Sequence, residues 1–201
     1  MAHYYLDIET TGIDPQNDQI LTIQFQKISV FTGKAMGPLN ILNSWNNSEE
    51  DIVKEIAGYM LDKHPWNFVP VGNNLTFEFK FLSNKFQKYL GKDIDVEFFV
   101  TRPHIDLKSV MILANSGKFK GSHLILGKQG KGSDVPIWYE NREYQKIIDY
   151  IEDETKCFLN FASEAQRVLG NRFIGGQKWL VPDLYIFHQK LSNQFSKLRL
   201  V

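Results

Sequence analysis

Tyr4-Tyr5-Leu6-Asp7-Ile8-Glu9-Thr10-Thr11-Gly12 sets two carboxylates two residues apart in a run of bulky side chains, and a Thr-Thr-Gly break follows at once. A β-strand alternates its side chains between two faces, so Asp7 and Glu9 share one face and Ile8 takes the other. Against an apolar layer, two neighbouring carboxylates repel each other and lose hydration. They are tolerated when a cation stands between them, and a divalent metal is the usual one. A surface strand with two solvated acids has the same local pattern, so the rest of the chain must distinguish the two readings.

The 201 residues are enough for one domain with an ordinary core, and 43% hydrophobic and 13% aromatic content supports a well-packed globule. No run of eighteen apolar residues suggests a membrane span. The N-terminus reads directly as a strand without a basic-then-apolar leader, so a cytoplasmic location is expected. Cys157 is the single cysteine and has no internal disulfide partner, which fits a reducing compartment. Lys+Arg and Asp+Glu balance at 23 each, so any nucleic-acid binding must rely on local basic groups rather than net charge.

Beyond Gly12, a polar turn through Pro15 leads into alternating residues from Gln19 to Val30, which predict a long second strand. A turn at 32–34 and a third strand over 39–42 would complete an antiparallel meander. Ser48, with Asp51 three residues on, predicts the start of a helix whose buried stripe is Ile52, Val53, Ile56, Ala57, Met60 and Leu61. A buried strand over 67–72, a helix over 77–89 stopped by Gly91, a strand over 101–107 and a short helix over 107–114 follow. Residues 115–138 are polar and glycine-rich, with Lys118, Lys120, Lys128 and Lys131, and read as a long functional loop. The longest helix is predicted over 141–169, and another over 179–198. The pattern is an α/β fold with a mixed sheet, a three-stranded antiparallel meander plus parallel strands, flanked by helices. Residues 1–170 would form this domain, and 171–201 a helical extension packed on it.

Asp7-Ile8-Glu9-Thr10-Thr11-Gly12, followed by Asp14-Pro15 and the Ile20 strand, resembles the first motif of the DEDD-type 3′–5′ exonucleases at every one of its six positions. The Tyr branch, with the exonuclease domains of family B DNA polymerases and their free-standing relatives, is the most similar. The resemblance spans about residues 3–168 and implies a ribonuclease-H-like fold. It also implies that Asp7 and Glu9 ligate two divalent metals, Mg2+ or Mn2+, and that Thr10, Thr11 and Gly12 line the pocket for a 3′-terminal nucleotide. Val71-Gly72-Asn73-Asn74-Leu75-Thr76-Phe77-Glu78 resembles the second motif, with Asn74 and Phe77 as pocket residues and Glu78 where the family has Asp. An ordinary first-turn helix acid is the alternative reading of Glu78.

Tyr150 and Glu154 resemble the third motif, again with Glu in place of Asp. Asp153 is the rival, and helical phase separates the two. At about 100° per residue, Glu154 lies roughly 70° from the mean of the apolar stripe Ile147, Ile148, Ile151, Phe158, Leu159 and Ala162. Tyr150 lies roughly 110° from it and Asp153 almost opposite. Glu154 is therefore the expected metal ligand, and Tyr150 would orient the attacking water. The catalytic set is thus Asp7, Glu9, Glu78, Tyr150 and Glu154, with metal on the four acids.

The implied activity is metal-dependent 3′–5′ exonuclease action on single-stranded or frayed nucleic-acid 3′ ends, DNA ahead of RNA, releasing nucleoside 5′-monophosphates. The alternative is a weak or inactive exonuclease-fold module that binds 3′ ends or a protein. Both departures from the family keep the charge but lengthen the side chain, which suits manganese better than the strictly octahedral magnesium. Asp106 reads as a helix cap before a site residue. Gly130-Lys131-Gly132-Ser133 resembles a substrate-facing loop, and His3, His64, His123 and His188 share no ligand spacing.

Overall fold

A computed structural model describes residues 2–29, 31–128 and 130–173. The predicted helix over 179–198, and with it nearly all of the 171–201 extension, lies outside these residues. The strands are β1 (His3–Thr10), β2 (Ile20–Ile28), β3 (Ala35–Asn43), β4 (Val69–Gly72) and β5 (Ile105–Asp106). They form one sheet in the order β3-β2-β1-β4-β5, antiparallel from β3 to β1 and parallel from β1 to β5. The helices are α1 (Glu49–Met60), α2 (Thr76–Leu90), α3 (Val96–Val100), α4 (Lys108–Ala114), α5 (Val135–Glu140) and α6 (Tyr144–Phe173). Among the described residues, no helix is long and apolar enough to cross a membrane.

The alternation of β1 divides the core. Leu6 and Ile8 pack with Ile23 and Phe25 of β2 against Ile52, Val53 and Ile56 of α1 and Phe79 and Leu82 of α2. Tyr5 faces the other way, onto Met111 of α4 and Phe158 and Ala162 of α6. Asp7 and Glu9 share the Tyr5 side by the same period of two. The sheet is thus covered on both faces, with α1 and α2 on one and α4, α5 and α6 on the other. An irregularity in the β1–β2 register between Glu9 and Thr10 ends the regular ladder at the last carboxylate.

Local chemistry explains the element ends. The Ser48 hydroxyl accepts from the Asp51 amide and the Asp51 carboxylate accepts from the Ser48 amide, both at 3.1 Å, closing the predicted capping box of α1. Gly91 stops α2 in the left-handed conformation, φ 61°. Proline occurs in two strands. Pro38 lies in β3, an edge strand, where a missing amide costs little. Pro70 lies in an inner strand, but Val69 directs its amide to Ala2 on the β1 side, and alternation turns the Pro70 nitrogen toward β5, whose pairing begins only at Val71. Gly72 lets β4 approach β1: a Cβ there would come within 2.8 Å of the Leu6 carbonyl oxygen and 2.5 Å of Leu75 Cδ2.

Several boundaries differ from those predicted. The third strand runs over nine residues rather than four, because pairing with β2 continues through polar positions that periodicity does not mark. The strand expected over 101–107 contracts to Ile105–Asp106, and the chain before it forms α3, capped by Asp95, whose carboxylate accepts from the Phe98 amide. The loop over 115–138 contains short 3-10 turns at Ser122–Leu126 and Gly132–Asp134 and then α5, which starts with Pro136 in its first turn. The longest helix begins at Tyr144 rather than at 141.

Candidate active site

Three elements bring carboxylates to one end of β1. Asp7 and Glu9 come from the strand itself, Glu78 from the first turn of α2, and Glu154 from the middle of α6. One oxygen from each of Asp7, Glu9 and Glu154 lies within 4.8 Å of the other two. Glu78 is 3% exposed, and its Oε2 is buried without a hydrogen-bond partner. These acids, with Tyr150, line an open cleft of about 530 Å³ whose rim includes Thr10, Thr11, Gly12, Ile13 and Phe77. A cleft of that size falls within the range of small-molecule sites.

The helix-phase argument for Glu154 agrees with its position. Glu154 reaches the carboxylate group, and Asp153 is not part of that group. Tyr150, one turn earlier, is 5% exposed and its hydroxyl lies at the cleft. Asn74 is the one predicted pocket residue that does not line the cleft. Its backbone holds φ 67°, its amide and that of Leu75 donate to the Asp106 carboxylate at 2.9 Å each, and its Oδ1 accepts from Lys108 Nζ at 2.6 Å. Asp106 also accepts from the Lys108 amide at 2.9 Å, so it clamps the β4–α2 turn to the start of α4. The N-cap position of α4 is Leu107, so Asp106, expected as a helix cap, instead ends β5 and ties the two helix starts together.

Polar residues on the inward face of β2 hold Asp7 in place. Gln24 is its direct cross-strand partner, and the Gln24 Nε2 donates to Asp7 Oδ2 at 2.8 Å. Thr22 orients that amide by donating to Gln24 Oε1 at 3.0 Å. Thr22 and Gln24 are both fully buried, and inward polar residues in a strand are the signal that could have located them. The pocket loop is held as firmly. Thr11 Oγ1 donates to Asp18 Oδ1 at 3.3 Å and accepts from the Gln19 amide at 2.9 Å, and the Asp14 amide donates to Asp18 Oδ2 at 2.8 Å. A Cβ on Gly12 would stand 2.4 Å from Asp18 Oδ2, so a side chain there would have to push that carboxylate off its bonds to Thr11 and Asp14.

The loop also rests on a buried ion pair. Lys85 of α2 donates to the Asp18 carbonyl at 2.6 Å and pairs with Glu49 Oε1 at 3.3 Å. Glu49 Oε1 also accepts from the Ile20 amide at 2.7 Å, and its Oε2 from the Tyr89 hydroxyl. Both charges are buried, and each is satisfied by several polar partners, as a buried pair requires.

Lys128 enters the site from the long loop. Its Nζ donates to the Tyr150 hydroxyl at 2.9 Å, forms an ion pair with Glu154 Oε1, and lies 5.3 Å from the centre of the Tyr150 ring. Sequence reasoning noted this lysine among four in the loop but had no periodicity with which to single it out. The predicted Gly130-Lys131-Gly132-Ser133 stretch does border the cleft, through Gly132 and Ser133.

Electrostatics show what such a cluster lacks. Burial, and then the nearby Glu154, push the Asp7 carboxyl up to about 7, against the opposing effects of Lys128 and the Gln24 hydrogen bond. Burial and then Asp7 raise Glu9 well above the usual carboxylate range, and the same two causes raise Glu78. Burial and then Glu9 raise the Tyr150 phenol, so it acts as a neutral hydroxyl. Oxygen-only donors of this kind suit hard divalent cations such as magnesium or manganese. Glu78, predicted as a fourth ligand, lines the cleft but lies outside the group of oxygens within 4.8 Å of one another, and its Oε2 is buried without a hydrogen-bond partner. The residues therefore fit divalent metal.

A mixed five-stranded sheet covered by helices, with carboxylates gathered where β1 ends, defines the class of protein. A family model of the RNase_H superfamily matches residues 4–158, and the chain belongs to that superfamily. Among solved structures, an exonuclease I in complex with an inhibitor aligns at 12% identity and a TM-score of 0.46, over 60% of this chain and 31% of that one. Exonuclease I from Methylocaldum szegediense aligns at 12% identity and a TM-score of 0.45, over 60% of this chain and 30% of that one. The chain thus spans about a third of the length of these structures in alignment. No curated protein matches the sequence.

Proposed function

We propose that this protein is a metal-dependent 3′–5′ exonuclease that removes nucleoside 5′-monophosphates from single-stranded or frayed ends, with DNA preferred over RNA. The observation that carries this reading is the convergence of Asp7, Glu9 and Glu154 within 4.8 Å, beside Glu78 and Tyr150, in an open cleft. Asp7, Glu9, Glu78 and Glu154 would hold two divalent cations, which when bound stabilise the attacking and leaving oxygens of an in-line phosphoryl displacement.

The chain's own residues do the rest. The rigid Thr10–Gly12 turn and the half-buried Phe77 form one wall of the cleft, and Phe77 offers a ring face on which a terminal base stacks. Tyr150, kept neutral by its surroundings, positions the water through its hydroxyl. Gln24 and the Tyr5 hydroxyl both donate to Asp7 Oδ2 and so fix the orientation of that carboxylate. The choice of DNA over RNA turns on whether the wall contacts a 2′-hydroxyl, and it is part of the proposal.

Gel analysis of 5′-labelled single-stranded, blunt and 3′-recessed DNA and RNA, with magnesium and with manganese, tests the reading. Shortening one nucleotide at a time, fastest on single-stranded DNA with manganese, is expected. Tyr150→Phe should slow it, and Asp7→Ala should abolish it. Cleavage that persists in Asp7→Ala, or none on any substrate with either metal, refutes the proposal.

A further inference from the structure

The Lys128 ammonium occupies the two groups that the proposed reaction needs free. It holds the Tyr150 hydroxyl at 2.9 Å and the nearest oxygen of Glu154 in an ion pair. A positive charge bonded to Glu154, whose oxygen lies within 4.8 Å of Asp7 and Glu9, stands where a divalent cation would act. We propose that Lys128 is a tethered counter-ion that competes with divalent metal for Glu154 and must leave that carboxylate, and the Tyr150 hydroxyl with it, before the site can load. This rests on the metal-dependent reading above and adds to it a built-in autoinhibitory contact.

Two features make the exchange sterically simple. Lys128 lines both the carboxylate cleft and an adjoining cavity of about 530 Å³, bordered by Leu124, Lys131 and Asp134, so a displaced ammonium has an open, water-accessible place to go. Gly130, at φ 86°, lets the loop lie against the Tyr150 ring, since a Cβ there would already be 3.2 Å from Cδ2. The backbone can therefore remain on Tyr150 while the long lysine side chain changes partner. Lysine suits this role because its ammonium is a compact charge on a flexible stem.

Calorimetric titration of Mn2+ into the wild type, Lys128→Met and Lys128→Arg tests the competition. Removing a partly buried charged partner of Glu154 should tighten manganese binding by roughly tenfold in Lys128→Met, and Lys128→Arg should stay near the wild type. The wild type supplies an independent readout that needs no variant. Acylation of Lys128 by an amine-reactive ester, mapped by peptide mass, should rise several-fold when manganese is added. Wild-type binding with an equal or weaker affinity in Lys128→Met, or acylation that manganese leaves unchanged, overturns the role of Lys128 and leaves the metal-dependent reading standing. Absence of manganese binding in every variant overturns both.

Discussion

Asp7→Asn should make the metal-free protein more stable at pH 8 while removing its capacity for metal. The Asp7 carboxyl has an ordinary value of 3.8 and is pushed up to about 7 by burial and by Glu154. The sign follows from proton linkage. Between about pH 4 and pH 7 the folded chain keeps a proton that the unfolded chain has lost, so stability falls as pH rises through that window, and the full cost is present above it. At 1.36 kcal/mol per pH unit, the displacement corresponds to a cost on the order of 4 kcal/mol. Part of it is relieved in practice as neighbouring acids adjust, because the cluster titrates as a unit. A neutral amide at position 7 avoids the cost and can still bond Gln24. We expect the Asp7→Asn variant to gain about 2 kcal/mol at pH 8 in chelator, or several degrees in melting temperature for a chain of this size. The gain should shrink toward pH 5, where the wild-type carboxyl already holds its proton.

Urea denaturation in chelator at pH 5 and pH 8 measures both. Millimolar manganese should then reverse the order, stabilising the wild type and leaving the variant unmoved, since a ligand stabilises only the state that binds it. If Asp7→Asn is no more stable than the wild type at pH 8 without metal, the carboxylate cluster does not carry the electrostatic cost argued here.

Two further outcomes follow from the scaffold around the cleft. Lys85→Met leaves Glu49 buried without its closest cation and should cost about 3 kcal/mol in urea denaturation. Lys85→Met combined with Glu49→Gln should recover much of that loss, and equal destabilisation in the single and double variants would count against the ion pair. Gly12→Ala drives a methyl into the Asp18 carboxylate and should displace the Thr11–Asp18 turn. Cleavage should fall at least about tenfold, because small misplacements at a reacting centre are costly. Asp18→Ala in the Gly12→Ala background should restore part of it, and failure to do so would mean that the turn's geometry is not what the glycine protects.

Much of the site could be read without the fold because its residues obey local periods. The strand period of two put Asp7 and Glu9 on one face. The helix period of 3.6 chose Glu154 over Asp153, whereas Glu78 was marked only by the motif that residues 71–78 resemble. Each of these depends on neighbours within a few residues, which is the range over which backbone geometry dictates direction.

The remaining parts depend on distances that no local period encodes. Asn74 was expected at the cleft, but Asp106 and Lys108, more than thirty residues away, draw it to the β4–α2 clamp. The support of Asp7 by Gln24 needs the antiparallel register of β1 and β2. The Glu49–Lys85 pair needs α1 and α2 to pack side by side.

The Asp7-Ile8-Glu9 stretch therefore determined by itself that two like charges would share one side of a strand. Only the tertiary structure decided what answers them: the Gln24 amide across the sheet, and the ammonium of Lys128 from a loop with no repeating geometry. The physical reason is that backbone periodicity sets the direction of a side chain, whereas burial and long-range packing set which charges it meets.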